Sequence, residues 1–161
     1  MDWDAISAVA EVISAIGVVV SLIYLAVQVR DSNRESRIAA NGEIAREYNM
    51  FLQHLSADPA RQNLWVRAWG SEDANLTEEE RSYVLMLTGI FMRVVENAFL
   101  QFQSGRMEQR SWEPYFQIIR RGAISPSFNW YIEMREDMHT QEFVALLKSI
   151  AAAPAEREMF R

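Results

Sequence analysis

An all-α protein is what this sequence predicts: one N-terminal transmembrane helix that continues as a stalk, followed by a cytoplasmic helical bundle of about five helices. Three observations predict it. Strand-like alternation of apolar and polar residues is absent along the chain. Most apolar segments open on helix-starting residues: Asp58-Pro59, Thr77 with Glu80, Ser125-Pro126 and Thr140. Residues 12–29, VISAIGVVVSLIYLAVQV, run for 18 positions without a charge. One helix of that length crosses most of the hydrocarbon core of a bilayer.

The first element is the span, within residues 1–30. A secretory signal would open on a basic segment, have a shorter apolar core and end at a small-residue cleavage site. Here Asp2, Asp4 and Glu11 come first, and Tyr24, Gln28 and Arg30 stand near the far end. A buried helix of a soluble core is the other alternative, but such helices carry shorter uncharged runs. Orientation follows from flanking charge. Arg30, Arg34 and Arg37 follow the run, and no Lys or Arg precedes it. The positive-inside rule therefore places the N-terminus outside and the bulk of the chain in the cytoplasm. Trp3 and Tyr24 suit the two interfacial belts.

The span has two faces. Ser7, Ser14, Ser21 and Gln28 recur every seven residues, nearly two helical turns, and so share a slowly drifting stripe. Ala10, Glu11 and Gly17 fall on the same side. Small and polar residues on one face let membrane helices approach each other. The stripe predicts a self-associating helix. A sharper reading is a homo-oligomeric cation pore lined by the stripe, with Glu11 ringing its outer mouth. The plainest is that Ser is simply tolerated in a span.

Residues 31–57 follow as a helical stalk, weakened only at Gly42 and broken at Ala57-Asp58-Pro59. The helical domain, 58–161, is the size of one ordinary domain. Asp58 caps its first helix with Pro59 at the first helical position, and Gly70 closes it. Thr77 and Glu80 form a capping box that opens the longest helix of this domain, running to Gly105. A short helix covers 112–121, with Pro114 in its first turn. Ser125-Pro126 starts another through Trp130 and Met134. Thr140 caps the last, 141–153, which stops before Pro154.

The helix of 77–105 is apolar enough to raise the question of a second span. Its uncharged stretch, 82–92, is short, and Arg93 and Glu96 would then lie near mid-membrane at a cost of several kcal/mol. A central core helix is the expectation. Arg93 and Glu96 stand three apart and can pair, with Asn97 beside them. This buried polar cluster is either a ligand pocket or a satisfied network that fixes helix register.

Composition excludes several function classes. Half of the residues are hydrophobic, with a mean hydropathy of −0.13, which suffices for a core. There is no cysteine, so neither a disulfide framework nor a thiolate metal site exists. The net charge of −6 argues against broad nucleic-acid binding. Glu136-x-x-His139 has the spacing of a di-iron motif, but that site needs a second copy and two more carboxylates. The only other histidine, His54, has Phe51 three residues before it. No glycine-rich phosphate loop and no nucleophile elbow is present. Trp65, Trp69, Phe91, Phe99, Phe102, Trp112, Tyr115, Phe116, Trp130 and Phe143 read as core rather than as a cofactor box. No catalytic, cofactor-binding or metal-ligating set is expected.

The opening WDAISAVAEVISAIGVVVSLIYLAVQVRDSNRESR resembles a widespread group of uncharacterised bacterial single-span membrane proteins. Their apolar N-terminal helix ends in a YLAVQVR-type segment, and a helical cytoplasmic domain follows. FMRVVENAFLQFQSG and WEPYFQIIRRGAISPSFNWYIEMREDM are similar to that group as well. The resemblance implies bacterial origin and inner-membrane residence, and it implies no activity. The expected function is therefore non-enzymatic: a membrane protein that self-associates or serves as an accessory subunit of a membrane complex. The alternative is a membrane-tethered sensor that binds a small ligand around Arg93, Glu96 and Asn97.

Overall fold

Asp58 stops one helix and starts the next, and similar punctuation sets the order of elements throughout. The structure is a computed structural model describing residues 3–70 and 75–152; among residues 3–15, only Glu11 and Ser14 are described at side-chain level. Six α-helices and no strand occur among the described residues: α1 Trp3–Ser56, α2 Pro59–Gly70, α3 Glu78–Gln103, α4 Gln109–Gly122, α5 Pro126–Arg135 and α6 Gln141–Ala152. A short 3-10 turn, Glu136–Met138, follows α5. The chain divides into two units, Met1–Ala39 and Ala40–Arg161, and the division falls inside the segment 31–57 expected as a stalk.

In the first unit every residue described at side-chain level is exposed. Ile16, Val18, Val19, Val20, Leu22, Ile23, Leu25 and Val29 are all more than half exposed, as is Tyr24. These residues occupy every side of the helix.

The second unit is built around α3. The Asp58 carboxylate accepts from the Ala60 N–H at 2.9 Å, which caps α2 as the Asp-Pro pair predicts. At the start of α3 both halves of the capping box form: Thr77 Oγ1 accepts from Glu80 N–H, and Glu80 accepts from Thr77 N–H. The far end of α3 comes two residues before the expected Gly105. Gly105 instead takes φ +69°, and Arg106 N–H returns to the Gln101 carbonyl at 2.9 Å, a Schellman closure that only the left-handed residue permits.

The expectation for α4 needs correction. It starts at Gln109 rather than residue 112, because the Glu108 carbonyl already accepts from Ser111 and Trp112 N–H. Pro114 consequently sits in the second turn, on an exposed face where its missing N–H meets no buried acceptor. Ser125 caps α5 as expected, accepting from Phe128 N–H while donating to the Gly122 carbonyl at 2.8 Å. Helix α6 is described to Ala152; its expected end at 153, before Pro154, lies outside the described residues.

The core lies along α3, where Leu87, Phe91, Met92, Val95 and Ala98 are buried. Ile44, Phe51 and Leu55 reach it from the last turns of α1, and Ile119, Phe128, Phe143 and Leu147 from α4, α5 and α6. Nine of the ten aromatics expected in the core join or abut this cluster; Trp130 does not, and instead borders Leu76, Arg81 and Pro126. Among the described residues one helix, α3, is long and apolar enough to cross a membrane. Its most apolar window is 56% buried by the neighbouring helices, the condition of a core helix.

Gly122 marks the tightest contact. A Cβ there would collide with the Trp69 ring at Cζ3, and Trp69 is itself held by stacking on Trp65 and edge contact with Phe91. Gly122→Ala is therefore expected to lose about 1–3 kcal/mol of unfolding free energy despite the gain in helix propensity. Chemical unfolding of the full chain read by tryptophan fluorescence checks this; a neutral or stabilised variant would show that the indole moves freely.

Candidate functional site

The predicted polar pair on α3 is the floor of a larger network. Glu96 is 1% exposed, one helical turn from solvent-reaching Arg93. Its Oε2 accepts from Arg93 Nη1 at 2.8 Å and from His139 Nδ1 at 2.8 Å, and its Oε1 accepts from Thr140 N–H at 2.7 Å. A carboxylate only accepts, so the hydrogen on the imidazole resides at Nδ1. His139 Nε2 then faces the Tyr131 hydroxyl at 2.6 Å. Arg93 Nη2 donates to the Met138 carbonyl at 2.8 Å. Arg93 of α3 and the His139-Thr140 segment before α6 thus meet at one carboxylate, and Tyr131 of α5 joins them through His139.

The electrostatics follow from these contacts. Burial pushes the Glu96 carboxyl up, but the Thr140 N–H and the His139 ring outweigh it, and the group stays below the ordinary carboxylate value. Burial pushes the Tyr131 phenol up to about 12. A nucleophilic phenol would need the opposite shift, so the Tyr131–His139–Glu96 chain has the geometry of an oriented relay without an activated nucleophile.

A groove of about 900 Å³ opens beside this network. One face of α3 lines it: Ser82, Leu85, Met86, Gly89, Ile90, Arg93, Val94 and Asn97, in successive steps of three residues and one. Met50, Phe51 and His54 of α1 form one wall, and Tyr131, Arg135, Met138 and His139 the other. Met50, Met86, Ile90 and Met138 are each about half exposed at its rim, where unbranched thioethers adapt to varied shapes. Volume and lining fall within the range of small-molecule sites.

The sequence-predicted residues divide accordingly. Arg93 and Glu96 come together as expected. Asn97 does not bond to them: its Nδ2 donates to Glu47 of α1 at 3.3 Å, in the same groove. His139 was singled out only for its spacing from Glu136, and the structure gives that pair different partners. Glu136 binds Lys148, whereas His139 turns inward to Glu96. Among the described residues no three His, Cys, Asp or Glu side chains stand together to hold a metal ion. No sequence signal nominated Tyr131, Arg135 or the methionine rim, although the stripe from Ser82 to Asn97 is visible as a periodicity once sought.

On α1, Glu11, Ser14, Gly17, Ser21 and Gln28 are exposed, and Ser21 Oγ donates to the Gly17 carbonyl at 2.8 Å. The side chains of Ser7 and Ala10 lie outside the described residues. No protein-family model, curated protein or solved structure matches the chain.

Proposed function

We propose that this chain is a bacterial inner-membrane protein with a single span in residues 1–30, its N-terminus outside and its helical bundle in the cytoplasm. It acts without catalysis, by self-associating or by joining a larger membrane complex as an accessory subunit. The observation that carries this reading is the exposed apolar stretch of 16–29. Ten large apolar side chains between Ile16 and Val29 are left 42–63% exposed around the whole circumference of a helix. Water penalises such a surface at roughly 25 cal/mol per Å², and lipid removes the penalty. The positive-inside asymmetry at Arg30, Arg34 and Arg37 supports the orientation. Gly17, with nothing within 4 Å of its Cβ position, and Ser14 and Gln28 beside it supply a face that another helix can approach closely.

The chain is expected to stay in the membrane pellet through an alkaline carbonate wash and to give a discrete homo-oligomer by native mass in mild detergent. Ser14→Leu or Gly17→Leu should dissociate that oligomer while leaving the chain in the pellet. Release by carbonate would overturn the span, and a wild-type monomer indifferent to both changes would overturn self-association.

A second reading, small-ligand sensing in the helical bundle, is favoured by the groove. It places Arg93 and Asn97 in one cleft with an adaptable apolar wall. The two readings are compatible, since a tethered sensor also needs a span.

A further inference from the structure

Resting on the ligand-binding reading, we propose that the groove binds a long-chain carboxylate, its head on Arg135 and Arg93 and its alkyl tail along α3 toward Ser82. The polar and apolar parts of the groove are segregated along one helix. Arg93 and Asn97, with Glu47 on Asn97, lie toward the C-terminal side of the α3 face, Ile90, Met86 and Leu85 succeed one another toward the N-terminal side, where Ser82 ends the row, and Arg135 lines the same cleft from the end of α5. Arg93 is preorganised: two of its hydrogen bonds, to Glu96 and the Met138 carbonyl, fix the guanidinium, yet the side chain remains 52% exposed. The Glu96 charge that steadies it is buried beneath. Arg135 makes no ion pair among the described residues and lines the same cleft. The one groove-lining carboxylate, Glu47, is engaged by Asn97.

The two guanidinium groups that line this cleft suit a planar anion, since each offers a fork of N–H donors that matches a carboxylate. Gly89, between the two ends, removes a side chain from the floor and leaves a continuous track beside Tyr131. From Arg93 to Ser82 the track is about 17 Å at the α-helical rise, the reach of an extended chain of roughly 14 carbons. The methionines along its rim conform to a flexible alkyl tail better than branched side chains would. A ligand of this kind partitions into bilayers, so a tethered receptor meets it at high local concentration.

The test is photolabelling of the full chain in phosphatidylcholine nanodiscs with tetradecanoic acid carrying a diazirine near its methyl end, followed by peptide mapping. Adducts are expected on the peptides holding Met50 to His54 and Ser82 to Met86. Arg135→Gln should lower this labelling about tenfold and Arg135→Lys should restore most of it, the loss expected for one charge-assisted contact. Because Arg135 is exposed, neither change threatens the fold. Met86→Trp should abolish labelling by filling the track.

The matching tetradecanol probe separates failures. Absence of groove adducts from both probes, with labelling confined to 16–29, would overturn the ligand-binding reading and the proposal together. Equal groove labelling by acid and alcohol, or an unaffected Arg135→Gln, would overturn the carboxylate class alone. So would stronger protection by tetradecyl phosphate than by tetradecanoate, which would assign the groove to a phosphate head instead.

Discussion

Glu96→Ala is expected to destabilise the unit of 40–161 by about 3–5 kcal/mol, the cost of removing a buried carboxylate and leaving its donors, the buried His139 ring among them, unmatched. Three groups lose their acceptor at once: Arg93 Nη1, His139 Nδ1 and the Thr140 N–H. Glu96→Gln keeps the shape and one carbonyl oxygen and should cost less, about 1–3 kcal/mol. Chemical unfolding of the full chain, read by tryptophan fluorescence, ranks the two. A loss below about 1 kcal/mol for the alanine variant would show that the network is not structural. The pH dependence has a definite sign. The folded carboxyl sits below its ordinary value of 4.5, so Glu96 contributes stability that is present above 4.5 and is lost as pH falls through the lower folded value. The wild type should therefore lose stability on acidification in that window, and Glu96→Gln should lose less over the same interval.

Phe91→Ala is the second large effect, expected at about 3–5 kcal/mol. Phe91 is 2% exposed and stands in the middle of the aromatic cluster. Its ring centroid lies 5.5 Å from Phe51, 5.9 Å from Trp65, 5.4 Å from Trp69 and 6.4 Å from Tyr48. These rings come from α1 and α2, so truncation opens a cavity where three helices meet. Trp69 also donates to Thr88 at 3.2 Å and cannot collapse into the void without breaking that bond. The same unfolding measurement checks the figure, and Phe91→Leu should recover most of the loss. If alanine costs no more than leucine, the neighbouring rings repack and the cluster is not rigid.

Much of this architecture is legible in the sequence because helix ends are local. Asp58-Pro59, Thr77 with Glu80 and Ser125-Pro126 each satisfy orphan N–H groups within three residues, and each cap forms where it is read. The start of α4 is misread because Glu108 caps it with backbone geometry alone, without a side-chain hydrogen bond. The candidate site is legible by halves for a different reason. Arg93 and Glu96 are one helical turn apart, so spacing reveals them. His139 lies 43 residues away, and only the turn of Glu136–Met138 brings its ring inward. Glu136, three residues before it in sequence, pairs with Lys148 instead. The groove escapes a local reading altogether, since its walls come from α1 and α5 and its floor from α3.

The bond from Thr140 to Glu96 also sets an order of events during synthesis. The first turn of α6 borrows its cap from a helix translated well before it, whereas the other capped helices carry theirs beside them. While the ribosome is still adding residues 97 to 138, Glu96 has Arg93 but neither His139 nor Thr140. A nascent chain at that stage holds a carboxylate destined for the interior with most of its partners still unmade. Arrested or truncated products ending before residue 139 would leave that carboxylate on Arg93 alone, without the His139 ring and the Thr140 N–H. The His139-Thr140 segment thus acts as the latch on a core whose central helix was made much earlier.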